Sequence, residues 1–533
     1  MDREIRGLHE AAYLLAAFSL VSQVLALLRD RTFAHLFGAG PELDIYFAAF
    51  RVPDVAFAVF TLVVSSFVLV PLFSRRSPSE RLGALRSLVF YFGVAAVPIA
   101  LVLMLSLDLL VPLLAPGFSA AALEETASLA RILLIQPILL GISSILASYV
   151  QSERRFALFA LAPALYNLGI IAGAMFLFPT FGMAGLAWGV VLGAALHLGV
   201  QIGPVMRGQG ASGGLSVSEF THSVITPSVP RSLTLFSTQL LLVAFAALAS
   251  QIAVGSVAAL SFAFNLQSVA LTVIGLSYAS ALFPALAGHA HRAEWGEYAR
   301  EVWVAVRHLV FWLLPATMLI IVLRAHIVRV VLGSGAFSWD DTRLTAAMLA
   351  LFVVSLLAQA LLLAFSRAYY AAHASLAPVC IAFASALGAA GLAFLSIHVV
   401  GAYPVMLYFL EALLRVSDVP GTEVLVLPAA FSAAMILAAL VYVGLFVIRY
   451  GGSSVAARAF GTSFAASVAG AAAAYLALNA FGPLLPTNTF LGIFAQGVTA
   501  GAAGLVLWIA VLVLLKSAEL RDITALVTAR FLR

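Results

Sequence analysis

Apolar residues run through this chain in long blocks bounded by short polar or Gly/Pro breaks. A helix needs about 20 apolar residues to cross a hydrocarbon core roughly 30 Å thick, and about fourteen blocks qualify. The predicted spans cover residues 11–28, 46–73, 87–110, 129–150, 156–178, 184–206 and 233–254. They continue with 257–286, 302–323, 344–365, 377–399, 425–447, 459–480 and 490–515. The expected class is therefore an all-α polytopic membrane protein. Residues 403–416, before SDVPGTE, are too short for a span and predict an external interfacial helix.

The blocks repeat. Ala49-Phe50-Arg51-Val52 in the second is answered by Ala263-Phe264-Asn265-Leu266 in the eighth, and Pro116-Gly117-Phe118-Ser119 by Gly335-Ala336-Phe337-Ser338. Leu161-Ala162-Pro163 likewise pairs with Leu376-Ala377-Pro378. A parallel repeat of this kind implies two six-helix lobes with the same polarity. The expected boundaries are 1–215 for the first lobe, 216–230 for a linker and 231–450 for the second lobe. Residues 451–533 would hold two extra helices and a tail. The segment from Arg207 to Pro230 is rich in Gly, Ser and Pro, which reads as a flexible cytoplasmic connection. Placing the amino terminus in the cytoplasm puts about twenty of the 28 Lys and Arg residues inside and six outside, so both termini are expected in the cytoplasm.

Composition agrees with the pattern. Of 533 residues 63% are hydrophobic and 10% charged, and the mean hydropathy is +1.10, values suited to a membrane solvent. The net charge of +5 does not indicate nucleic acid, because the arginines lie in short clusters between apolar blocks. The charged amino terminus leads into an apolar run without a small-residue cleavage site, so the first block is expected to be a retained span. Cys380 is the lone cysteine and reads as packing. No carboxylate pair, Ser/His pair or metal-ligand spacing falls within one apolar region, and no GxxxxGK[ST] loop is present. A transporter is expected, without a metal or other cofactor and with transport driven by the membrane potential or an ion gradient. His197, beside Gly193 and Gln201, reads as a hydrogen-bonded packing residue.

Charge inside such a chain is the candidate chemistry. Arg29 and Asp30 follow the first block, Asp44 precedes the second, and Arg51 lies two turns into it beside Pro53. A charge near mid-bilayer costs roughly 2.5–3.5 kcal/mol on insertion scales, so charged side chains there are usually kept for a pathway or ligand. Two guanidiniums can hold a phosphate or diphosphate through paired N–H donors, with the carboxylates orienting them. The structural alternative is an ion pair of Arg29 with Asp30 or Asp44 that fixes the first hairpin. Gly182, Gly185, Gly189 and Gly193 recur at helical spacing and predict close helix contact.

The run Ser22-Gln23-Val24 to Arg29-Asp30, then Phe37-Gly38-Ala39-Gly40, Asp44 and Ala49 to Asp54, resembles the opening of the lipid II flippase MurJ family. Ala162 to Asn167, Gly185 to Gly189 and Asn265 to Val269 continue the likeness. The resemblance, within the multidrug/oligosaccharidyl-lipid/polysaccharide exporter superfamily, implies two lobes around a central cavity, with two final helices grooved for a lipid tail. It implies a bacterial inner-membrane carrier of undecaprenyl-diphosphate-linked peptidoglycan precursor, moved outward by alternating access. Membrane lipids and cell-wall synthesis proteins are its implied partners. Arg29, Arg51, Asp30 and Asp44 match family cavity positions, and Gln23, Asn265 and Gln267 are expected as further polar contacts. Gln23, Phe57, Ala58 and Asn265 stand where family members often carry arginine, so fewer cations face the substrate. The polar residues of the family's sodium site are not matched in the eleventh and twelfth spans. The alternatives are a flippase or exporter for another polyprenyl-linked glycan or a drug, and a transport-inactive scaffold that recruits cell-wall enzymes.

Overall fold

The computed structural model describes residues 8–153, 155–206, 212–484, 486, 489–522 and 524. The described residues are helical and contain no strand. Twelve of their helical runs are long and apolar enough to cross a membrane, or thirteen when one pair bent by 44° counts as a single span. Helix α1 (Leu8–Phe37) precedes these runs and contains the first predicted block. The chain divides into two compact units, Met1–Ala258 and Ala259–Arg533.

In the first unit, proline positions explain two of the breaks in the predicted spans. The second block is three helices, α2 (Pro41–Ala49), α3 (Arg51–Val64) and α4 (Ser66–Ser74). Pro53 has no N–H for the Ala49 carbonyl, and α2 stops at Ala49. The fourth block splits in the same way into α6 (Ala120–Leu133) and α7 (Ile135–Ser152), with Pro137 unable to serve Leu133. Between them in sequence, α5 (Pro78–Leu114) starts earlier than predicted. The Glu80 carboxylate accepts from the Ser77 N–H at 2.9 Å in a capping box that launches it.

Helix α8 (Phe156–Ala172) runs through a π-helical turn at Gly173–Leu177 into α9 (Phe178–Phe181), and α10 (Met183–Met206) returns alongside. Gly185, Gly189 and Gly193 on α10 make the predicted close contact, whereas Gly182 precedes the helix and meets nothing within 4 Å. A Cβ added at Gly189 would stand 2.5 Å from the Gly173 Cα, and one at Gly169 would stand 2.3 Å from the Gly193 Cα. His197 packs as expected, its Nδ1 2.7 Å from the Ser143 hydroxyl.

The segment expected as a flexible connection is helical from Val217 onward, while residues 207–211 lie outside the described residues. Helix α11 (Val217–Phe220) continues through a π-helical turn at Thr221–Ile225 into α12 (Thr226–Ser250). Ser216 caps α11, its hydroxyl accepting from the Glu219 N–H at 3.2 Å. The preceding strip is docked on α5. The Leu215 N–H donates to Ser87 Oγ at 3.0 Å, and the Tyr91 hydroxyl donates to the Leu215 carbonyl at 2.8 Å. Arg76 pairs with Glu219 across the same junction.

The unit boundary cuts the first turn of α13 (Ser256–Ala270). Beyond it, a π-helical turn at Leu271–Leu276 leads into α14 (Ser277–His291) and the long α15 (Trp295–Val331). Helices α16 (Trp339–Val353) and α17 (Leu356–Ala371) form the bent pair, followed by α18 (Leu376–Ala402). The short α19 (Val405–Leu414) occupies the segment predicted as an interfacial helix, and α20 (Val426–Tyr450), α21 (Ser454–Phe481) and α22 (Phe490–Leu514) complete the unit. Helix α15 anchors the last two, with Phe311 and Trp508 rings 5.1 Å apart over buried Ala466 and Leu512. The tail is tied to α15 by Arg307, whose Nε donates to Glu519 at 2.8 Å. After α19, Arg343 pairs with Asp418, which holds that carboxyl down at about 2. Because this acid is depressed in the fold, the pair's contribution is present above the ordinary carboxylate range and is lost as pH falls through about 2.

Gly189→Ala is expected to lower the thermal unfolding midpoint in detergent, since overpacking costs typically 1–3 kcal/mol. Gly199→Ala on the same helix, where an added Cβ meets nothing within 4 Å, is expected to leave it unchanged; equal midpoints for both variants would refute the close α8–α10 contact.

Candidate substrate site

Arg29 and Asp30 on α1 and Arg51 and Asp54 on α3 lie close to Tyr46 of α2. Helix α1 continues two turns past Arg29, so Arg29 and Asp30 lie inside a helix and not at its end. Arg29 directs Nε and Nη2 to one oxygen of Asp30, at 2.9 and 2.7 Å, and Nη1 to Asn167 Oδ1 on α8 at 3.3 Å. Asn167 is itself fixed, its Nδ2 donating to the Pro163 carbonyl at 3.1 Å. Three of the five guanidinium N–H groups are thereby engaged, and the other two have no acceptor among the described residues. The Arg29 side chain keeps 21% exposure while Asp30 keeps 3%. The carboxylate is thus the buried anchor, and the guanidinium is its half-open face.

Arg51 opens α3 just after the break imposed by Pro53, with Asp54 one turn on and within its field. Tyr46 connects the two pairs. Its buried ring packs edge-on to Phe33 at 5.0 Å, and Arg29, Asp30, Asp54 and Tyr166 all lie within electrostatic reach of its hydroxyl. Gln136 on α7 lies beside the Tyr166 hydroxyl. The assembly holds two guanidiniums and two carboxylates, and it is bordered by two phenols and two amides. Such a set can hold arginine forks in place for an anionic group while limiting the cost of burying them unpaired.

Asp44 stands apart from this assembly. Among the described residues, neither Arg29 nor any other cation takes its carboxylate. Oδ2 accepts from the Gly255 N–H at 2.5 Å and Oδ1 from the Ala258 N–H at 2.8 Å, both residues of the first unit. These are N–H groups at the start of α13 that the helix cannot satisfy itself, so Asp44 caps that helix from 211 residues away. Gly255 sits at φ +88°, and a Cβ there would stand 2.1 Å from the Ala39 carbonyl oxygen. Only glycine fits this close approach.

The remaining predicted contacts are placed differently. Gln23 lies on α1, half-buried, two turns before Asp30. Asn265 and Gln267 belong to the second unit. Asn265 is half-buried, whereas Gln267 is fully buried in an amide pair. Gln359 Nε2 donates to Gln267 Oε1 at 3.0 Å and to Ser355 Oγ at 3.1 Å, and Ser432 Oγ donates to Ser355 Oγ at 3.0 Å. Gln267 therefore serves the packing of its own unit. Gln136 and Tyr46 were not singled out from the sequence, and Asp54, Tyr166 and Asn167 entered only as parts of the runs that carry the resemblance. Their signal was a polar side chain within or beside an apolar block, which packing alone does not require.

Comparisons with known proteins agree along most of the chain. The family described as "Lipid II flippase MurJ" matches residues 33–476. A protein of Rhizobium tropici named "Probable lipid II flippase MurJ" is 29% identical over 379 residues, covering 68% of this chain and 70% of that one. Among solved structures, "Lipid II flippase MurJ, inward closed conformation" superposes with a TM-score of 0.74 at 21% identity, covering 96% of this chain and all of that one. An inward-facing multidrug resistance MATE family transporter of the MOP superfamily gives 0.67 at 15% identity, covering 83% and 96%. The likeness to the two solved structures concerns the fold.

Asp44→Ala is expected to destabilise the protein by about 1–3 kcal/mol, the cost of leaving buried donors unsatisfied, without altering the helical content. Gly255→Ala should act in the same direction. Thermal unfolding in detergent followed by circular dichroism checks both, and wild-type midpoints would rule out the cap.

Proposed function

The chain belongs to the lipid II flippase MurJ family, a family of transporters and not enzymes, and we propose that it moves undecaprenyl-diphosphate-linked peptidoglycan precursor from the cytoplasmic to the outer leaflet by alternating access. The observation that carries this reading is the Arg29 fork, oriented by Asp30 and Asn167 with two N–H groups left for a ligand. A diphosphate brought among apolar helices needs donors already in place, because stripping its water without replacement is prohibitive. Arg51 supplies the second cation in this reading, and Asp54 holds it between transport cycles. The arginine distribution supports cytoplasmic termini. Without a nucleotide-binding loop in the sequence, the membrane potential or an ion gradient is the proposed driving force.

A second reading is favoured by Gln23, Phe57, Ala58 and Asn265, uncharged where relatives often carry arginine. With fewer cations, the cargo would be another polyprenyl-linked glycan. Mass spectrometry of the lipid retained after gentle extraction separates the two.

In a flippase-depleted bacterium, wild-type protein is expected to restore growth. Arg29→Ala and Arg51→Ala are expected to fail at equal membrane abundance, with Arg29→Lys recovering part of the activity because it keeps charge but loses the fork. Full rescue by either alanine variant would overturn the headgroup assignment.

A further inference from the structure

Helix α19 is ten residues long, about 15 Å at 1.5 Å per residue. It is too short to cross a bilayer, yet it lies between two runs that can, α18 and Thr422–Tyr450. Its outward side carries no charge. Val405, Phe409 and Leu413 are 75%, 64% and 60% exposed, with Met406 and Tyr408 exposed beside them. Leu407, Glu411 and Leu414 form the buried side. Glu411, the only charged residue of the helix, thus faces inward, where it accepts from the Thr422 hydroxyl at 2.5 Å.

This is the reverse of a helix resting at a water interface, which turns its polar side outward. The segment is also held firmly. Arg324 Nη2 donates to the Leu414 carbonyl at 3.2 Å, and Arg343 Nη2 donates to the Arg415 carbonyl at 2.7 Å. Exposed apolar side chains continue from the end of α18, where Phe394, Leu395 and Val399 face outward and the exposed His398 folds back to the Phe394 carbonyl, through Tyr403. On a membrane-crossing helix that surface is covered by lipid.

We propose that α19 is a fixed platform immersed in the acyl chains of the surrounding bilayer, with the arc of Val405, Phe409 and Leu413 as its lipid-contacting face. That the leaflet is the outer one rests on the orientation proposed above; the immersion itself does not. The occupant is bulk lipid. Continuity with the lipid-facing side of α18 favours it, and the outward arc offers no charge to a polar partner.

The test uses nitroxide labels in a Cys380→Ser background, in vesicles of phosphatidylethanolamine and phosphatidylglycerol free of polyprenyl lipid. Phe409→Cys and Val405→Cys are the probes, with Leu395→Cys as the lipid-facing reference and Ser417→Cys as the exposed loop reference. Collision with oxygen is expected to exceed collision with an aqueous nickel chelate several-fold at 405 and 409, as at 395, and the order to reverse at 417. Nickel-dominated relaxation at 405 and 409 would place the arc in water and overturn the proposal. Protection from both agents would assign the face to a second copy or another protein, which also overturns it. The measurement does not depend on transport, so its outcome is separate from that of the complementation experiment.

Discussion

A guanidinium placed among apolar helices has to be neutralised by its own protein, and that constraint organises the first unit. Arg29 is tolerable because Asp30 lies next to it and is almost fully buried, so the pair enters the interior as one neutral object. The amide of Asn167 then sets the fork's direction from another helix. Arg51, two helices further on, has Asp54 within its field. In the proposed reading, binding capacity lies in what this neutralisation leaves over, a few oriented N–H groups and not a surplus of positive charge.

The same residue type does opposite work fourteen residues further along the chain. Asp30 answers a cation, whereas Asp44 answers backbone N–H groups at the head of α13. The two carboxylates look alike in sequence, and only the partner separates an electrostatic role from an architectural one. Helix breaks add a second layer of organisation. Pro53 and Pro137 deprive Ala49 and Leu133 of their donors, and the restart after each break places Arg51 and Gln136 near the start of a new helix.

Much of this was legible from the chain because hydrocarbon is an exacting solvent. Long apolar blocks predict helices, and charges inside them stand out, as Arg29 and Arg51 did. The α10 glycine stripe predicted close packing, although its partners Gly169 and Gly173 could not be named, since spacing on one helix does not identify the neighbour. Asp44 was misread as an ion-pair candidate because its true partners are main-chain groups, which every residue carries and none advertises. The connection after Arg207 looked flexible from its Gly and Ser content, but Ser216 and Glu219 already stood at capping spacing, and Leu215 found acceptors and donors on α5. Gln267 matched a family stretch, yet burial with Gln359 commits it to its own core.

The reach of the Asp44 cap bears on how the protein is made. The carboxylate is translated 211 residues before the Gly255 amide that completes it, a delay of roughly 10–40 s at ribosomal speeds of about 5–20 residues per second. Throughout that interval several membrane helices have already emerged while an acidic group between the first two of them has no mate. The nascent lobe must either keep that end in contact with water or leave it loosely assembled until α12 has been threaded. Closure of the first unit is thereby timed by the arrival of its own last residues.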